Sequence, residues 1–172
     1  MNIVLIGYRG TGKSTVGKVV AARLGRQLVS TDNEIVKRAG RSIPEIVGEH
    51  GWDYFRDLES EVCRELAGRD NLVIDTGGGA ILRQQNVDVL KQNGTLFWLT
   101  ASVDTIAKRI GKDNQRPSLT GTKSFIEEIE EVLRERTPKY QAAADHVLAT
   151  DGRSINELVK SLLAVLDTEP AQ

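Results

Sequence analysis

Nine residues near the start of the chain, Gly7-Tyr8-Arg9-Gly10-Thr11-Gly12-Lys13-Ser14-Thr15, follow the spacing G-x-x-x-x-G-K-[ST]. These residue types suit one task, the holding of a polyphosphate. Gly7, Gly10 and Gly12 permit a tight turn whose backbone N–H groups converge on phosphate oxygens. Lys13 can reach the β- and γ-phosphates, and the Ser14 hydroxyl can ligate Mg²⁺. An apolar run, Ile3-Val4-Leu5-Ile6, precedes the loop, and a helical pattern from Ser14 to about Leu24 follows it. Such a helix adds the positive end of its dipole to the same anion site. The stretch therefore predicts a P-loop that binds a nucleoside triphosphate through Gly10, Thr11, Gly12, Lys13, Ser14 and Thr15.

Further candidates stand after later apolar runs. Asp32 follows Gln27-Leu28-Val29-Ser30-Thr31, and Asp75-Thr76-Gly77-Gly78-Gly79-Ala80 follows Leu72-Val73-Ile74. Asp32 reads equally well as a helix N-cap. Three consecutive glycines are costly in backbone entropy, so they suggest a backbone that a small molecule approaches closely. Arg116 lies in a polar stretch without periodicity, and Arg56 beside an apolar helical stripe. Taken singly, each arginine reads as a solvated residue.

The elements that must position these residues follow from periodicity. A second strand covers Gln27-Thr31, and Asp32 opens a helix through Ile35, Val36 and Ala39 to Gly40. Ser42-Ile43-Pro44-Glu45 starts another helix, His50-Gly51 breaks it, and a longer amphipathic helix runs from Trp52 to near Gly68. Strands at Leu72-Ile74, Thr95-Leu99 and His146-Thr150 alternate with helices from Gln84 to Gln92, from Ser102 to Ile110 and from Ile155 to Leu166. A helix from Phe125 to about Arg136 is expected to stop at Pro138. The stretch from Gly111 to about 123 reads as a mobile loop, and Asp167 to Gln172 as a frayed tail. Short strands alternating with helices predict an α/β fold, a five-stranded parallel sheet with helices on both faces in three layers. One domain over 1–172 is expected. Ligands of such sheets bind at the carboxyl ends of the strands, where the candidates above fall.

Composition narrows the partners. The 172 residues hold 23 Lys and Arg against 24 Asp and Glu, which argues against a general grip on nucleic acid or membrane. Neither a signal segment nor a bilayer-spanning apolar run is read, so a cytoplasmic protein is expected. The single cysteine, Cys63, excludes an internal disulfide and a cysteine zinc cluster, and reads as a buried core thiol. Nothing in the sequence demands more than a monomer.

Taken together, the motifs resemble the shikimate kinase family of small P-loop kinases over nearly the whole chain. The resemblance rests on Gly7 to Thr15, Thr31-Asp32, Phe55-Arg56 followed by Glu59, Gly77-Gly78-Gly79-Ala80, Arg116-Pro117, and Arg136-Thr137-Pro138 followed by Tyr140. It implies transfer of the ATP γ-phosphoryl group to the 3-hydroxyl of shikimate, with Mg²⁺, in the pathway to aromatic amino acids. It further implies that Arg56 and Arg136 hold the shikimate carboxylate, that Asp32 orients the attacking hydroxyl, and that the Gly78 N–H contacts the acceptor. The segment of about 32–61 would bind the acceptor. Lys13 and Arg116 would stabilise the transferring phosphoryl group, Arg116 from a lid of about 111–123. Arg109 and Arg153 match positions at the adenine side, where a structural role is equally compatible. The P-loop alone would also suit a gluconate or nucleoside-monophosphate kinase, or a nucleotide-binding module without turnover.

One departure from the family pattern is informative. Many members carry Asp-x-Asp after the second strand, whereas this chain has Ser30-Thr31-Asp32. Asp75, at the end of the third strand, is expected to take over the outer shell of the metal, with Ser30 at most a weak helper.

Overall fold

Every residue of the first strand, β1 (Asn2–Ile6), is buried, because the strand runs through the middle of the sheet with both faces covered. The computed structural model describes residues 1–111 and 124–168. Among them β1 is joined by β2 (Gln27–Ser30), β3 (Leu72–Asp75), β4 (Gly94–Thr100) and β5 (His146–Ala149). The order across the sheet is β2-β3-β1-β4-β5, with every pairing parallel. The expected α/β sheet is therefore the one observed. The register places Ser30 opposite Asp75, so the ends of β2 and β3 lie side by side.

Alternate residues of β1 serve different layers, as the two-residue period of a strand requires. Ile3 and Leu5 pack with Val16 and Val20 of α1 (Lys13–Leu24) and Leu158 and Leu162 of α7 (Ile155–Thr168). Val4 and Ile6 pack on the other face. Their partners there include Ile35 of α2 (Thr31–Ala39), Val62 and Leu66 of α3 (Ile43–Ala67), Leu90 of α4 (Gln84–Gln92) and Tyr140 of α6 (Phe125–Ala143). A smaller cluster joins Tyr8 to Ile106 and Ile110 of α5 (Val103–Ile110) and to Ile129 and Val132 of α6. Among the described residues no helix is long and apolar enough to cross a membrane.

Two expectations about helix ends need correction. Asp32 is not the cap of α2. Ser30 is, its hydroxyl accepting from the Asn33 N–H at 3.2 Å, and the helix starts at Thr31. Asp32 then lies in the first turn, where the helix dipole favours a carboxylate. Nor does Pro138 stop α6, which continues to Ala143. Ile129, Val132, Arg136, Tyr140 and Ala143 form one buried stripe at three- and four-residue spacing. Burial of that face outweighs the N–H that proline lacks. The expected break at Gly51 is present, with φ 84° and ψ 173° inside α3, a conformation that suits glycine alone.

Cys63 is fully buried, and burial, reinforced by the Glu59 carboxylate, pushes its thiol pKa up to about 12. At pH 8 a thiol–disulfide exchange reagent should titrate no cysteine in the native protein and one in denaturant. Rapid labelling of the native protein would show that this part of α3 is not packed as described.

Candidate active site

The P-loop turns from β1 into α1 without a side-chain cap, since Gly12 occupies the N-cap position at φ 96°. Its backbone N–H groups and the helix N-terminus face a cavity of about 690 Å³. Gly10, Gly12, Lys13, Ser14 and Thr15 line this cavity together with Asp32, Asp75, Gly78 and Arg109. Residues from three strand ends are thus brought to one hollow, as the strand-end rule requires. Thr11 does not line it; its hydroxyl donates to the Tyr8 carbonyl at 2.8 Å and closes the loop from behind. The Lys13 ammonium lies over the loop, donating to the carbonyl oxygens of Gly7 at 2.8 Å and Tyr8 at 3.1 Å.

Arg9 and Lys18 also line the cavity, and sequence reasoning passed over both. Arg9 is one of the unspecified positions of the loop motif. Lys18 stands four residues after Ser14 on α1, a helical spacing that could have revealed it. With Lys13 and Arg109 they surround the hollow with cationic side chains, as a triphosphate demands.

The Ser14 hydroxyl donates to Asp75 Oδ2 at 2.5 Å, and Asp75 is only 8% exposed. Ser30 is engaged elsewhere, as the cap of α2. Among the described residues no group of three or more His, Cys, Asp and Glu side chains could hold a metal ion. One hydroxyl and one carboxylate beside a phosphate site still fit Mg²⁺, which keeps several waters and binds largely through substrate phosphates.

None of the three glycines after β3 has a positive φ, and Gly79 lies at φ −101° and ψ 6°, open to any residue. Gly77 and Gly79 provide room for the protein's own side chains, and Gly78 lines the cavity. A Cβ at Gly77 would lie 2.7 Å from Asp32 Oδ1 and 2.9 Å from Glu59 Oε2. One at Gly78 would lie 3.4 Å from the Arg136 guanidinium, and one at Gly79 would overlap the guanidinium of Arg56. The turn is held by Thr31, whose hydroxyl accepts from the Gly77 N–H at 2.9 Å, and by Tyr140, whose hydroxyl donates to the Gly78 carbonyl. The Gly77 and Gly79 carbonyls accept from the N–H groups of Ala80 and Leu82, each at 3.1 Å.

Arg56 and Arg136 do not line the phosphate cavity; the Arg136 guanidinium lies against Gly78, which does, and that of Arg56 against Gly79. Arg56 donates to Glu59 at 2.8 Å and lies over the rings of Trp52 and Phe55, with 5.3 and 5.2 Å to the centroids. Glu59 is fully buried, and desolvation raises its pKa against the opposing charges of Arg56, Arg136 and Arg83. A carboxylate enclosed by cations orients guanidinium groups instead of receiving a ligand's negative charge. Glu59 stood in the motif, but its role as a partner for Arg56 was not read from the sequence.

At the other end of the cavity Arg109 donates to the Gly10 carbonyl at 3.1 Å and to the Thr150 hydroxyl at 3.4 Å. Nearby, Asp151 accepts from the Thr105 hydroxyl at 2.6 Å and from the Ser102 N–H at 3.0 Å, and these bonds hold its pKa below the ordinary carboxylate range. They tie the start of α5 to the turn after β5. Arg153 does not line the cavity; its guanidinium donates to the Ser161 hydroxyl at 2.5 Å and to the Glu157 carbonyl at 3.3 Å on α7. Arg116 and the expected lid lie outside the described residues.

The steric reading of the turn can be isolated, since alanine is allowed at the dihedrals of Gly79. Gly79→Ala should cost about 1–3 kcal/mol in urea unfolding. In an Arg56→Ala background the same substitution should cost less than half as much, because its clash partner is gone. Equal costs in the two backgrounds would contradict this reading.

Comparison with known proteins agrees with the geometry. The family model described as shikimate kinase matches residues 9–167. The chain is 44% identical over 167 residues to a shikimate kinase of Nitratidesulfovibrio vulgaris, covering 94% of this chain and 95% of that one. Among solved structures it resembles a shikimate kinase from Acinetobacter baumannii in complex with shikimate, at 33% identity and a TM-score of 0.93, covering 99% and 95% of the two chains. A shikimate kinase from Aquifex aeolicus is similar at 34% identity and a TM-score of 0.84, covering 97% and 96%. With a P-loop cavity, a carboxylate at Asp32 and two guanidinium groups behind a glycine turn, this chain belongs to the shikimate kinase family.

Proposed function

We propose that the protein transfers the γ-phosphoryl group of ATP to the 3-hydroxyl of shikimate, yielding shikimate 3-phosphate and ADP. The observation that carries this reading is the convergence of Asp32, Gly78, Arg56 and Arg136 beside the P-loop cavity, in a chain of this family. Shikimate carries one carboxylate and three hydroxyls. Two guanidinium groups suit the carboxylate and a protein carboxylate suits a hydroxyl.

In this reading Arg56 and Arg136 bind the acceptor's carboxylate, and Glu59 holds Arg56 in position. The Gly78 N–H donates to the acceptor. Asp32 accepts the hydrogen bond of the attacking hydroxyl and takes its proton as transfer proceeds. The P-loop N–H groups from Gly10 to Thr15 and the Lys13 ammonium hold the phosphates, with Arg109 at the adenine side. Arg116 follows from the family motif alone and would stabilise the transferring group. Arg153 has a structural role in the turn into α7. Ser14 and Asp75 would hold Mg²⁺, which when bound neutralises charge on the β- and γ-phosphate oxygens. Little covalent work falls to the protein, so the rate enhancement comes from positioning and charge. The reading is of one cytoplasmic, monomeric domain acting on small molecules.

A turnover assay with ATP, Mg²⁺ and shikimate tests the reading. ADP should form with shikimate and not without it, nor with gluconate or nucleoside monophosphates. Arg136→Ala should raise the shikimate KM about 10- to 100-fold, the loss of a charge-assisted pair, with a smaller change in kcat. An unchanged affinity for shikimate in direct titration would remove Arg136 from the carboxylate site. Asp75→Asn should raise the Mg²⁺ concentration needed for half-maximal rate, while Ser30→Ala should not. The reverse pattern would place the metal-associated group on β2.

A further inference from the structure

Arg136 and Tyr140 stand one helical turn apart on the buried face of α6, 8% and 0% exposed. The Tyr140 hydroxyl donates to the carbonyl of Gly78, the middle residue of the glycine turn. The Arg136 guanidinium lies against the same glycine, 3.4 Å from where a Cβ of Gly78 would stand. The ring is fixed as well. It stacks on Trp98 of β4 with centroids 5.7 Å apart and belongs to the core cluster on that face.

The glycine turn needs such a brace. Three residues without Cβ atoms have the widest backbone freedom of any tripeptide, and the packing of Asp32, Glu59 and Arg56 against them requires one defined path. Thr31 fixes the entry of the turn and the Ala80 and Leu82 N–H groups its exit, leaving the Gly78 carbonyl to Tyr140.

We infer that Tyr140 is a positioning residue for the acceptor site, its hydroxyl fixing the Gly78 peptide beside the Arg136 guanidinium so that both reach the acceptor in a fixed relation. This inference rests on the proposed function, since it assumes that Arg136 and Gly78 contact one acceptor molecule. Tyr140 itself does not line the phosphate cavity. Its effect is transmitted through the Gly78 peptide it holds.

Tyr140→Phe removes only the hydroxyl and keeps the ring on Trp98 and in the core. It leaves the Gly78 carbonyl without its hydroxyl donor and frees that peptide to shift against Arg136. The expected result is a rise of about tenfold in the shikimate KM, with the ATP KM changed by less than about twofold. Calorimetric titration with shikimate and, separately, with ADP reads the same split even if turnover is lost. Weaker shikimate binding with unchanged ADP binding supports the inference. Unchanged shikimate binding overturns it, and so does a parallel loss of both ligands together with a lower Tm, the signature of general loosening. Absence of shikimate binding by the unsubstituted protein would overturn the proposed function first, and this inference with it.

Discussion

At the carboxyl end of β3 the space that Cβ atoms at Gly77 and Gly79 would fill is taken by Asp32, Glu59 and Arg56, and the Arg136 guanidinium packs against Gly78 between them. That exclusion organises the rest of the site. Asp32 of α2 and Glu59 and Arg56 of α3 can meet there because Gly77 and Gly79 present bare backbone. Buried guanidinium groups are tolerated when they are paired and hydrogen-bonded. Arg56 has Glu59 and two aromatic faces. An acidic ligand arriving at such a cluster meets donors already desolvated and oriented, so little ordering remains to be done on binding.

The same turn separates two demands that oppose each other. A triphosphate and a ring carboxylate are both anionic, and a single pool of cations would hold them in competition. Here the cations fall into two groups. Arg9, Lys13, Lys18 and Arg109 surround the phosphate hollow, whereas Arg136 and Arg56 lie against Gly78 and Gly79. Asp32 stands between them in the first turn of α2, next to Gly77. In the proposed reaction that is where an acceptor hydroxyl would meet the γ-phosphate. Cys63, on the buried face of α3, takes no part.

Much of this was readable from residue order. Strand and helix periods gave the sheet, the loop motif gave the phosphate site, and the strand-end rule selected Asp32, Asp75 and residues 77–79. The misreadings share a cause, since each took a local signal as decisive where tertiary contact decided. Asp32 is a good capping residue, yet Ser30 was already in place one step before the helix. Pro138 is a helix breaker, yet the stripe that includes Arg136 and Tyr140 is buried on both sides of it. Glu59 and Tyr140 owe their roles to packing between elements far apart in sequence, and a single sequence does not display such pairings; Lys18 was within reach of the helical spacing from Ser14. Asp75 did fall where expected, hydrogen-bonded to Ser14 beside the phosphate hollow.

The central claim is that desolvated guanidinium groups behind the glycine turn select an acceptor by its carboxylate. A calorimetric titration of shikimate against its neutral methyl ester tests that claim most directly, because the two ligands differ only in the group at issue. The account predicts that the ester binds at least about 100-fold more weakly, the loss expected for charge-assisted bonds in a buried site. Equal affinity for the acid and the ester would contradict it.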